Sequence, residues 1–282
     1  MLRIFSALML LNVVCARGES PWLPGAGKAS VTLTYVDETF TSYWSGTVKK
    51  VFPQPPSPAT EFGQSTGYGL IEYGLSDKLS LDLLTGYTAT TYGTQGLQGM
   101  SDSLVGMRWQ VYSGEHSAIT LRGAANIAGT YPLLTNNRFN AGDKVSGGQG
   151  SLLAGTTFNH GVYLYGEGGW RYREKPVPNV FFGTAGIGER VGRFSYGVAY
   201  QHNQALTGVD IGTPQFHGFP ALRETMQIQQ ILDANVGYTT VHGLYFGFDY
   251  AHLLNGRNAG DKQILAFTFG FTIPGRGPYI HH

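Results

Sequence analysis

Leu265-Ala266-Phe267-Thr268-Phe269-Gly270-Phe271, near the C-terminus, alternates a row of Leu and Phe with a row of Ala, Thr and Gly. Successive side chains of a strand point to opposite faces, so this stretch reads as a strand with one aromatic face and one small or polar face. The pattern recurs up the chain. Leu79, Leu81, Leu83, Thr85 and Tyr87 oppose Ser80, Asp82, Gly86 and Thr88, and Phe194, Tyr196, Val198 and Tyr200 oppose Ser195, Gly197, Ala199 and Gln201. Met226, Ile228, Leu232, Val236 and Tyr238 stand against Gln227, Gln229, Asp233, Asn235 and Gly237. A soluble β-sandwich also alternates, but its outer face carries ordinary Lys and Glu and its apolar face is the buried one. Here the polar face is Gly, Ser, Thr and Gln, and the apolar face is continuous and aromatic. That is the pattern of strands whose outer side meets lipid.

Segments of this kind lie near 28–40, 66–75, 78–92, 101–112, 117–130, 147–158, 162–173, 180–191, 193–204, 225–240, 243–254 and 261–273. Each is close to the span of about 9–11 residues that a tilted strand needs to cross hydrocarbon. Their connections alternate in length. Short turns fall at Ser76-Asp77, Ser113 to His116, Asn159 to Gly161, Gly192 and Val241-His242, and longer Gly- and Pro-rich loops fill 41–65, 93–100, 131–146, 174–179, 205–224 and 255–260. The expected fold is therefore all-β, a transmembrane antiparallel up-and-down β-barrel of about twelve strands with both termini on the short-turn, periplasmic side. Pro53 to Pro58 reads as a stiff excursion of the first long loop.

Composition agrees. Only 13% of the 282 residues are charged while 13% are aromatic and 41 are Gly, and that low charge is about half the soluble average. A net charge of +1 gives no reason to expect nucleic acid. Met1-Leu2-Arg3, the apolar run Ile4 to Val14 and the small Ala16 form a signal peptide over 1–16, leaving 17–282 as one barrel domain. Cleavage there removes the single Cys15, and with it any cysteine-based disulfide framework or metal site. The expected location is the outer membrane after passage through the inner one, with outer-membrane lipids and the outer-membrane assembly machinery as partners. No metal ligand spacing and no cofactor motif stand out.

The mature start, Pro21-Trp22-Leu23-Pro24-Gly25-Ala26-Gly27 running into a Tyr35-bearing first strand, resembles proteins described as XagA-like or as MetA-pathway phenol-degradation outer-membrane proteins. That resemblance implies a bacterial outer-membrane barrel admitting small, often apolar or aromatic solutes. It carries no motif that places a binding site.

Function is therefore sought on the lumen face. Parity puts Glu72, Asp82, Arg108, Arg122, Glu167, Arg171, Arg173, Arg190, Asp233 and Asp249 inward. Arg108 and Arg122 fall on the fourth and fifth strands, and Asp233 and Asp249 on the tenth and eleventh, hairpins that face each other in a ring of about twelve. Such an arrangement sets a transverse field across a lumen, or else the charges pair and fill it. A barrel of this size lies between filled and water-conducting ones, so both readings stay open. Tyr163, Tyr165 and Tyr245 point inward and either stack on a solute or pack the wall, packing being the preferred reading.

Tyr250-Ala251-His252-Leu253-Leu254-Asn255-Gly256-Arg257 resembles the motif of outer-membrane phospholipases, but Leu254 stands where the nucleophilic Ser belongs. Without a hydroxyl, His252 has nothing to activate. The reading is thus a non-enzymatic passive channel or uptake pore for small solutes. An outer-membrane lipid hydrolase and a closed structural or adhesive barrel are the alternatives. Loop 205–224 is the expected plug or capturing surface.

Overall fold

A computed structural model of the chain describes residues 20–52, 60–132, 143–217 and 223–274. The leader expected over 1–16, Pro53 to Pro58 and the terminal His281-His282 lie outside the described residues. The strands are β1 (Ala29–Phe40), β2 (Ser42–Ser45), β3 (Val48–Val51), β4 (Phe62–Ser76), β5 (Leu79–Tyr92), β6 (Gln95–Met100), β7 (Ser103–Ser113) and β8 (Ser117–Ile127). They continue as β9 (Gly147–Thr157), β10 (Val162–Arg173), β11 (Val180–Val191), β12 (Phe194–Ala205), β13 (Ile228–Thr239), β14 (Tyr245–Arg257) and β15 (Gln263–Ile273).

Thirteen of them form one sheet in the order β4-β1-β15-β14-β13-β12-β11-β10-β9-β8-β7-β5-β6, and a further β4–β5 pairing closes it. β6 and β7 share β5 as partner, β6 along Tyr87–Tyr92 and β7 along Leu79–Leu84. Counted as one interrupted stave, they make a closed antiparallel barrel of 12 strands, as the alternation predicts. Chain ends meet at the seam, where Ala29 pairs with Ile273 and Phe271 with Val31. Closure matters because lipid offers no partner for an unpaired backbone N–H or C=O.

The two-residue period decides which side chains enter the lumen. On β15, Ile264 and Ala266 are fully buried while Phe267 on the other face is 56% exposed. Outward rings pair across strands, Phe248 with Phe267 at 5.2 Å and Phe246 with Phe269 at 5.4 Å. A continuous apolar exterior of this extent is a liability in water and the natural surface in a bilayer.

Short turns join β4–β5, β7–β8, β9–β10, β11–β12 and β13–β14 at one end, three of them through left-handed glycines, Gly161 (φ 82°), Gly192 (φ 58°) and Gly243 (φ 78°). β1 begins and β15 ends at that same end. Three connections differ from expectation. The span 93–100 holds β6 and is not a loop, because Leu97 turns inward against the wall in step with β5. The first long loop contains the β2–β3 hairpin, whose Tyr43 bridges to Gly260 beyond β14. The expected segment 117–130 ends as a strand at Ile127, and Tyr131 beyond it is buried.

This sidedness sets an expected outcome on intact cells carrying single-cysteine variants. Lys175→Cys, in an exposed long loop, reacts with a membrane-impermeant maleimide, and Asn159→Cys, in a short turn, does not. Labelling of the second variant and not the first inverts the barrel.

Candidate functional site

The lumen is built from inward positions of neighbouring staves. Glu72 on β4 faces Asp82 on β5, and Arg108 on β7 faces Arg122 on β8. These four join as two buried ion pairs, Arg108 with Glu72 and Arg122 with Asp82. Glu72 also accepts from the Ser30 hydroxyl at 3.1 Å. Room for the second pair comes from Gly106, where a Cβ would lie 2.5 Å from Asp82 Oδ1. One wall therefore carries two cations and two anions in contact.

Across the ring, five strand steps separate β8 from β13 and five separate β7 from β14, so those hairpins stand diametrically opposed. Asp233 pairs in register with Ala251 and Asp249 with Asn235, which sets the two aspartates on a diagonal of the inner face, both fully buried. Glu167 is part-buried between Leu153 and Thr184. Arg171 donates from Nε to Gln149 Oε1 at 2.8 Å and lays its guanidinium 5.3 Å from the centre of the Phe182 ring.

The three inward tyrosines cover glycines. A Cβ at Gly188 would sit 2.3 Å from the Tyr163 hydroxyl, one at Gly186 2.4 Å from Tyr165 Cζ, and one at Gly237 2.1 Å from the Tyr245 hydroxyl. Tyr163 and Tyr165 stack on each other at 6.1 Å. Rings laid over backbone that lacks a Cβ fill the wall of a closed sheet.

Sequence reasoning missed the element that enters the lumen before β1. Ser20 and Pro21 are buried. The Ser20 carbonyl accepts from Arg108, and the Pro21 carbonyl accepts from Gln110 Nε2 at 3.1 Å and from the Thr120 hydroxyl. Gly155 on β9 leaves the space, since a Cβ there would meet Pro21 Cγ at 2.9 Å and the Trp22 ring at 3.0 Å. The segment then leaves at the short-turn end, where Gly27 donates to the Gly74 carbonyl at 2.8 Å and Ala26 to Asp77 at 3.1 Å. Its signal in the sequence is stiff, apolar Pro21-Trp22-Leu23-Pro24 placed directly before a strand. Between this segment and the opposite wall remains a cavity of about 310 Å³.

At the long-loop end other groups turn inward. Val145 and Val177 from two loops pack on Val180 and Phe182 of the wall. Phe52 and Phe216 from two further loops join Phe40, Phe62 and Tyr92. Asn258, in a left-handed conformation (φ 51°), ties three loops together. Its Oδ1 accepts from Gly46 at 2.7 Å and Ile211 at 3.0 Å, and its Nδ2 donates to the Met226 carbonyl at 2.7 Å. Arg257 holds Asp210 through two hydrogen bonds, at 2.8 and 2.5 Å, keeping that carboxyl below its ordinary range. Lys262 pairs with Glu38 at 3.0 Å, both buried. In the lipase-like stretch, Ile231 pairs with Leu253 and Gln230 with Asn255, which leaves Leu254 as an extra residue, exposed on the outer side.

No known family and no characterised protein matches the sequence. Among solved structures the chain is similar to an outer-membrane channel from Pseudomonas putida F1, at 10% identity and a TM-score of 0.73, over 92% of this chain and 100% of that one. It also matches the translocator domain of the autotransporter NalP from Neisseria meningitidis (12% identity, TM-score 0.51, 89% of each chain). A KdgM porin in complex with disordered oligogalacturonate follows, at 7% identity and a TM-score of 0.50 over 86% of this chain and 99% of the porin. At such identities the likeness establishes the architecture of outer-membrane barrels. It does not establish membership of the XagA-like or MetA-pathway group.

The buried carboxylate Asp143 sits in the loop before β9 and meets Arg173 at 2.6 Å. Burial pushes its pKa up to about 7, against the pull of Arg173, with Asp102 raising it further and Arg223 and Arg171 lowering it. A carboxyl raised above its free value of 3.8 favours the docked loop while protonated, so docking is strongest in acid and weakens as pH rises through about 7. Amide exchange over 143–146, corrected for intrinsic rate, is expected to show more opening at about pH 8.5 than at pH 5.5, and Asp143→Asn to remove the difference. A difference that survives in that variant assigns the titration elsewhere.

Proposed function

We propose that the protein is a passive outer-membrane channel for the uptake of small solutes, its lumen narrowed by its own N-terminal segment. The observation that carries this reading is the lumen itself. A filled structural barrel needs only packed side chains, whereas here a chain segment occupies one side of the bore and a cavity of about 310 Å³ lies beside it at the short-turn end. Trp22, Leu70 and Tyr245 in the lining of that cavity favour solutes with an apolar or aromatic part over sugars. Similarity to outer-membrane channels supports the general reading and says nothing of the substrate. A lipid hydrolase finds little support in the phospholipase-like stretch, since Leu254 has no hydroxyl.

Removing Ser20 to Pro24 is expected to raise single-channel conductance severalfold in planar bilayers while leaving the barrel folded. Unchanged conductance means that the bore is closed by other elements and favours the structural alternative.

The charged belt is the proposed selectivity element. With Asp233 and Asp249 both changed to Asn, preference shifts towards anions, and with Arg108 and Arg122 both changed to Gln, towards cations. Both shifts shrink at high salt, because the Debye length falls from about 10 Å at 0.1 M to about 3 Å at 1 M. Reversal potentials measure this. Equal selectivity in the two variants, with lowered thermal stability, identifies the belt as filler, since breaking a buried pair costs about 3–5 kcal/mol.

A further inference from the structure

We infer that the cavity at the short-turn end of the lumen is a binding site for a small aromatic carboxylate, with Arg190 as the anchor of its charge and Trp22 and Tyr245 as the walls for its ring. This rests on the uptake reading and names a solute class for it. The cavity, about 310 Å³, is at the lower end of the size range of pockets that hold small molecules. Its lining is mixed. Trp22 comes from the N-terminal segment, Tyr245 from β14 and Leu70 from β4, so apolar surface is supplied from both sides of the space.

Charge decides the ligand's polar end. Two ionic side chains line the cavity, Glu72 and Arg190. Glu72 is committed to Arg108 and to the Ser30 hydroxyl. Arg190 is not committed in this way. Its one hydrogen bond among the described residues is a long one, 3.4 Å from Nε to the Gly192 carbonyl, and its side chain is exposed. The terminal nitrogens of the guanidinium therefore offer a planar fork of donors of the shape that a carboxylate accepts. Thr239 and Thr272, from β13 and β15, add hydroxyls elsewhere in the lining. A single available cation suits a monoanion, and the small volume excludes a nucleotide. A neutral sugar would use the rings and hydroxyls but leave Arg190 without a role.

The experiment is calorimetry on the full mature chain in lipid nanodiscs, titrated with benzoate, with its neutral counterpart benzyl alcohol, and with glucose. Benzoate is expected to bind at least tenfold more tightly than benzyl alcohol, and glucose not measurably. Arg190→Gln is expected to weaken benzoate about tenfold and to leave benzyl alcohol unchanged. Trp22→Leu weakens both ligands. Equal affinity for benzoate and benzyl alcohol, binding of glucose, or indifference of benzoate to Arg190→Gln overturns the assignment. Solute flux into proteoliposomes separates this from the channel reading. Binding without flux leaves the site and removes the channel, and flux without Arg190-dependent binding does the reverse.

Discussion

Everything in this barrel depends on one requirement, that each backbone N–H and C=O crossing the hydrocarbon finds its partner in a neighbouring strand. The requirement is met by antiparallel pairing all the way round, including the seam where β1 joins β15 over eleven residue pairs. Once the ring is closed the pleat leaves no choice about side chains. Odd positions of β5 and β15 meet lipid and even positions enter the bore, so a shift of one residue would exchange Asp82 and Ala266 for Leu83 and Phe267. Functional groups are inward because the hydrogen-bonded ring holds them there.

That constraint explains why the fold was legible. Leu265, Phe267, Phe269 and Phe271 announce the lipid face through the same period that the ladder imposes, and the turn lengths announce the sides. The inward charges follow from parity alone. What parity cannot supply is the partner of each charge. Arg108 meets Glu72 two staves away, because Ser80, opposite Arg108 on β5, is small enough to be crossed by a long side chain. Asp82 can turn towards Arg122 only because Gly106 lies between them. The signal for both was present as small residues at particular register positions, but it becomes readable only after the strands are paired.

Segments outside the ladder were less legible for a related reason. The N-terminal segment makes carbonyl contacts with side chains of β7 and β8 and joins no sheet, so no periodicity marks it. Asn258 looked like an ordinary loop residue beside Gly256 and Gly260. Its role appears in the fold, where one side chain satisfies backbone groups of two other loops. The loops are consequently coupled. Displacing the β2–β3 hairpin disturbs the same asparagine that orders Ile211 and Met226.

The anchorage of Ser20 and Pro21 also orders the events of assembly. Their partners Arg108, Gln110 and Thr120 belong to staves near the middle of the chain, far in sequence from the segment they hold. That cradle exists only when β7, β8 and β9 are already side by side. Ser20 and Pro21 thus have no docking site until those staves stand together. Arg108 joins segment and wall, since the same guanidinium holds Glu72 and the Ser20 carbonyl.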